Sequence, residues 1–153
     1  MKIALGADHA GFELKESLRV YLQALGHEVL DLGTDSPASV DYPDFGFAVG
    51  KAVASGEAAR GVVVCGTGIG IAMAVNRVPG ARAGVARDLF ETRLMCEHND
   101  ANVVAFGARI TARPLAEAIL DLFLSTPFAG GRHARRVEKL EAHPSLLPRP
   151  QGA

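Results

Sequence analysis

Arg60-Gly61-Val62-Val63-Val64-Cys65-Gly66-Thr67-Gly68-Ile69-Gly70 is a short apolar run that delivers the chain into a glycine-rich turn. Consecutive valines without a polar alternation predict a strand buried on both faces, the kind used by parallel sheets. The glycines let the backbone turn tightly, and the stretch from Ile69 to Val78 reads as a helix stopped by Pro79-Gly80. Strand, tight turn and helix in that order are the unit of an α/β fold.

The same unit recurs on either side. Apolar runs at Lys2–Ala7, Glu28–Leu32, Ala81–Ala86 and Asn102–Phe106 are bounded by Gly, Asp or Asn. Between them, Leu14, Leu18, Tyr21, Leu22 and Leu25 share one face of a helix that Gly26 ends. Phe45 to Ala54 is a second candidate. Asp88 can cap a helix running to about Glu97. Leu115, Ile119, Leu122 and Phe123 mark another before Pro127, and a charged helix covers Arg132 to Ala142. This alternation predicts a three-layer α/β/α sandwich. Residues 1–142 read as one domain, and 143–153, with three prolines and a glycine, as a mobile tail.

Composition narrows the function. The chain has 153 residues and 48% apolar content, but only 6% aromatics and no Trp. Its core must therefore come from Val, Leu, Ile and Ala. A net charge of -1 argues against nucleic acid or an anionic membrane as the main partner. No apolar run is long enough to span a bilayer, and Met1–Gly6 reads as a strand rather than a signal peptide. Cys65 and Cys96 give no disulfide framework, so the cytoplasm is the expected compartment.

Open parallel sheets bind ligands at the carboxyl ends of their strands. Asp8 and His9 follow the first run, and Cys65 with Gly66–Gly70 closes the third. His98, Asn99 and Asp100 precede the fifth, and Gly107 and Arg109 follow it. These residues are expected to collect at one edge. Each has a plain structural reading beside the chemical one. The glycine turn is either a simple turn or an anion cradle of N–H groups. It lacks the Lys-Ser/Thr of a Walker loop and the spacing of a dinucleotide fingerprint. Cys65 is either a small residue finishing a strand or a thiol activated by the helix that follows. Asp8-His9 is either a helix cap or a site, and His98-Asn99-Asp100 either a turn or a site. Arg132 and Arg136, four apart, form either a solvated face or a phosphate clamp. No dense His/carboxylate spacing points to a metal, and no cofactor is expected.

Five separated motifs occur in order: Gly6-Ala7-Asp8-His9-Ala10-Gly11-Phe12, Asp41-Tyr42-Pro43, Cys65 to Gly70, His98-Asn99-Asp100-Ala101-Asn102, and Gly131-Arg132-His133-Ala134-Arg135-Arg136. Together they resemble the type B ribose-5-phosphate isomerases and their sister galactose-6-phosphate isomerases, from about residue 2 to 141. The resemblance implies a doubly wound, five-stranded parallel sheet with a C-terminal helix. It also implies a homodimer, or dimers paired as a tetramer, with the active site between subunits.

Carried over by position, Cys65 matches the base that moves a proton between C1 and C2 of the open sugar. Some family members use instead a Glu in the next helix, but Ile71, Ala72, Met73 and Ala74 offer no carboxylate here. Thr67 can steer the thiolate or bond the substrate. The N–H groups of Gly66, Thr67, Gly68, Ile69 and Gly70 are suited to a cis-enediolate without a metal. His98 matches the residue that opens the furanose ring. Asp8 and Asn99 match contacts to hydroxyls, His9 a contact near the phosphate, and Arg109, Arg132 and Arg136 phosphate and substrate contacts. Tyr42 and His133 are further contacts.

The expected reaction is interconversion of D-ribose 5-phosphate and D-ribulose 5-phosphate, in the non-oxidative pentose phosphate pathway. An isomerase of a six-carbon sugar 6-phosphate, such as allose or galactose 6-phosphate, is the alternative. A receiver module needs an acceptor Asp where Cys65 stands, and a nucleotide-binding module has no need of Cys65, His98 and three arginines.

Overall fold

Strands and helices alternate along the chain: β1 (Lys2–Ala7), α1 (Phe12–Ala24), β2 (Glu28–Asp31), α2 (Tyr42–Ala54), β3 (Arg60–Cys65), α3 (Ile69–Val75), β4 (Ala83–Val85), α4 (Leu89–Asn99), β5 (Val103–Gly107) and α5 (Arg113–Ser125). A short 3-10 turn at Gly131–His133 then leads into α6 (Ala134–Glu141). The computed structural model describes residues 1–142, so the expected tail lies outside the described residues.

The strands form one sheet in the order β2-β1-β3-β5-β4, with every pairing parallel. The three central strands are too apolar to face water, so helices cover both faces of the sheet. Leu14, Leu18 and Leu22 of α1, Met95 and Cys96 of α4, and Ile119, Leu120 and Phe123 of α5 close one face over Ile3, Leu5, Val62, Val64 and Phe106. Val49 and Val53 of α2 with Ile71 and Val75 of α3 close the other over Ala4, Val63, Val103 and Ala105. This is the three-layer sandwich that the alternation implied, doubly wound as the resemblance implied.

Several boundaries differ from expectation. Only the three central strands are buried on both faces; β2 and β4 are sheet edges and remain partly open. β4 keeps three residues of its apolar run because its pairing with β5 covers only Ala83–Val85. α2 starts at Tyr42 rather than Phe45, since Pro43 is tolerated in a first turn where the missing N–H has no partner anyway. α3 stops at Val75, and Arg77 and Val78 make turn bonds instead. Asp88 caps α4 as expected, accepting from the Glu91 N–H at 2.7 Å.

One polar side chain is built into the frame. Lys15 of α1 is 1% exposed, and its Nζ lies 2.6 Å from both Glu16 and Asp31, tying α1 to the end of β2. Among the described residues, no helix is long and apolar enough to cross a membrane.

Candidate active site

The carboxyl ends of β1, β3 and β5 lie side by side, and the turns leaving them carry the first group of candidates. β1 runs into Asp8, which is buried and whose Oδ1 accepts from the Gly11 N–H at 3.0 Å. Asp8 thus braces the turn ahead of α1 rather than capping the helix, whose cap position is Gly11. That turn packs tightly on β3: a Cβ at Gly11 would lie 2.5 Å from the Val64 carbonyl oxygen. His9 Nδ1 lies 3.2 Å from both the N–H and the carbonyl oxygen of Val40, which fixes the ring at the mouth of the site.

Cys65 ends β3 with 5% of its surface exposed. Its Sγ accepts from the Gly68 N–H at 3.2 Å. Gly68 can aim that N–H because it adopts φ 78°, a left-handed conformation that suits glycine. A Cβ there would also meet the Phe106 carbonyl carbon at 2.9 Å, so the turn lies flat on the end of β5. Thr67 is exposed, and its Oγ1 accepts from the Ile69 N–H at 3.4 Å. Ile69 is exposed at the start of α3. The Tyr42 ring lies against Gly70, where a Cβ would come within 2.8 Å of it. The Arg109 guanidinium covers Gly66, 3.3 Å from a Cβ placed there. Asp8, His9, Tyr42, Cys65, Gly66–Gly70 and Arg109 therefore share one rim.

His98, Asn99 and Asp100 do not join them, which corrects the expectation of a single edge. His98 and Asn99 form the last turn of α4, and Asp100 caps it in a left-handed conformation, φ 48°. A helix that follows a parallel strand runs back, so α4 ends at the amino edge of the sheet. There Gly61 N–H donates to the Asn102 carbonyl at 2.8 Å, level with the start of β3. β3 covers six residues, so at about 3.3 Å per residue its two ends are roughly 17 Å apart. Within one chain, His98 and Cys65 sit at opposite ends of that strand.

The basic segment gathers at this amino edge. His133 is buried and stacks on His98, with ring centroids 4.1 Å apart and planes 6° from parallel. Arg132 Nε donates to His133 Nε2 at 3.4 Å. Arg132 and Arg136 do not lie on one helix as expected. Gly130 and Gly131 hold positive φ and start a 3-10 turn containing Arg132, and α6 begins only at Ala134. Arg109, Arg132 and Arg136 have no carboxylate partner among the described residues. Burial holds His133 below the usual histidine range, aided by His98, Arg132 and Arg136. The other thiol, Cys96, is buried at the α4–α5 contact, and burial pushes it up. Among the described residues, no three His, Cys, Asp or Glu side chains are grouped to hold a metal ion.

The motifs alone did not reveal the histidine stack or the Val40 contacts to His9. Gly130-Gly131 was the available signal for the first, since paired glycines mark a sharp reversal.

Fold and rims together place the chain among the doubly wound sugar-phosphate isomerases. A solved structure of Clostridium thermocellum ribose-5-phosphate isomerase B superposes with a TM-score of 0.91 at 50% identity, covering 92% of this chain and 95% of that one. The chain belongs to the ribose/galactose isomerase family, whose pattern matches residues 3–140. It is 45% identical to ribose-5-phosphate isomerase B of Escherichia coli K12, over 92% of this chain and 95% of the relative. It is 41% identical to galactose-6-phosphate isomerase subunit LacB of Clostridium acetobutylicum, over 91% of this chain and 80% of the relative.

Proposed function

We propose that this chain interconverts D-ribose 5-phosphate and D-ribulose 5-phosphate, and that residues 1–142 form one isomerase domain. His98 opens the furanose ring by proton transfer, a task suited to an imidazole, which can both accept and donate a proton. Cys65 then takes the proton from C2 and returns it to C1, while the hydroxyl proton passes from O2 to O1, so that C1 ends as the hydroxyl carbon and C2 as the carbonyl. The negative charge passes to the sugar oxygens as a cis-enediolate, beside the N–H groups of Gly66–Gly70. Asp8 and Asn99 bond the hydroxyls, Thr67 holds the reacting end, and His9, Arg109, Arg132 and Arg136 take the phosphate and its neighbours. Tyr42 lines the mouth.

The observation that carries this reading is the Gly68 N–H on Cys65 Sγ at 3.2 Å, a donor aimed at the atom that must hold negative charge. The separation of the two rims supports a homodimer in which His98, Asn99, Arg132 and Arg136 of one copy complete the Cys65 rim of the other. A tetramer of two such dimers preserves the same sites.

The direct test is incubation with D-ribose 5-phosphate, with and without a chelator, following D-ribulose 5-phosphate. Rapid, chelator-resistant conversion is expected. Absence of conversion overturns the reading. A second reading, isomerisation of a six-carbon sugar 6-phosphate, draws on the LacB relative. Allose and galactose 6-phosphates in the same assay decide it.

A further inference from the structure

The stacked histidines are arranged for more than a contact with substrate. Gly130 and Gly131, at φ 65° and 56°, turn the chain back over the end of α4. Donation from the Ala129 N–H to the Glu97 carbonyl oxygen at 3.0 Å pins that reversal. His133 is thereby laid face to face on His98, at 4.1 Å and 6°. Arg132 Nε meets His133 Nε2 at 3.4 Å. A guanidinium has donors and no acceptor, so the nitrogen that accepts from it carries no proton. His133 is then neutral, with its proton on Nδ1.

The charges around the ring hold it there. Arg132 on the same turn, Arg136 on α6 and His98 on α4 all oppose a proton on His133, and only Glu97 on α4 favours one. Burial opposes it more strongly than any of them. Two imidazolium rings at this separation would also repel each other.

We infer that His133 is a positioning residue: a neutral ring, locked by Arg132, that fixes the plane of the His98 imidazole and leaves His98 as the one member of the pair that exchanges a proton. The role in turnover rests on the reading of His98 as the ring-opening residue. The stack would give that proton one direction of delivery, and misplacing a reacting group by about 1 Å can cost on the order of 100-fold in rate.

The test has two arms. Side-chain ¹⁵N NMR of the intact protein is followed from acid to alkaline pH. The expected result is that His133 keeps the neutral Nδ1–H form below the pH at which an ordinary histidine takes up its second proton. Independent protonation of both rings near the ordinary histidine value overturns the inference. In the second arm, His133→Ala and His133→Phe are assayed on ribose 5-phosphate. The alanine variant should lose about 100-fold in kcat with KM little changed, and the flat phenylalanine ring should recover most of that loss. Equal losses in both variants overturn the positioning role. If the unmodified protein fails to turn over ribose 5-phosphate, the reaction assignment falls, while the titration still decides how the pair shares its proton.

Discussion

Cys65 and Cys96 are both buried free thiols, yet their surroundings suit them to different work. The sulfur of Cys65 faces a backbone donor, and so has a partner for negative charge. Cys96 Sγ faces only the Phe123 carbonyl oxygen, 3.9 Å away, in a setting that keeps it protonated. Cys65→Ser should therefore lower kcat by on the order of 1,000-fold while KM stays within about threefold, the pattern of a lost proton-transfer group. Cys96→Ala should leave both constants near their starting values. Steady-state assays of the two variants decide it, and a Cys65→Ser enzyme with near-normal kcat removes Cys65 as the base. The position of Cys65 was legible from its place between a valine run and a glycine turn. The identity of its donor was not, because that depends on the left-handed turn at Gly68 and its fit against β5.

Among the elements, order and direction were written more clearly than partnership. Five apolar runs and their helices appear where expected, with ends adjusted by Pro43 and by edge pairing. The direction of α4 was also available: in a parallel sheet, a residue just before a strand must sit at its amino edge. Reading His98 by its nearness to β5 alone missed that. Lys15 shows what local pattern cannot supply. It occupies what looks like a polar position beside Leu14 on α1, while its partner Asp31 lies on another element. Removing a carboxylate leaves the buried Lys15 charge less compensated, whereas replacing Lys15 with an apolar side chain of similar size takes the buried charge away and leaves only partly exposed carboxylates. Both carboxylates here are partly exposed, at 35% for Glu16 and 29% for Asp31, which reduces the penalty. Asp31→Asn should therefore cost about 1–3 kcal/mol, and Lys15→Met less than about 1, since Glu16 keeps Arg19. Urea unfolding midpoints compare them, and a larger loss from Lys15→Met would show that the charge itself stabilises the fold.

At the scale of the whole molecule, the two rims set the decisive question. Cys65 and His98 lie at opposite ends of β3, so no side-chain movement within one chain brings them to a common sugar. If one copy supplies each rim, the two functions can be carried by different chains. Cys65→Ser and His98→Asn variants should each be inactive as homodimers. Mixed under conditions that exchange subunits, they form a heterodimer with one rim pair wholly unmodified and the other doubly defective. A closed two-fold dimer with random exchange then recovers about a quarter of the unmodified activity, because about half the dimers are mixed and each has one working site of two. Recovery should depend on the time allowed for exchange and vanish when crosslinking precedes mixing. Exchange verified by mass, with no recovery of activity, would mean that both rims act within one chain. In that case His98 could not be the group that opens the sugar ring above Cys65.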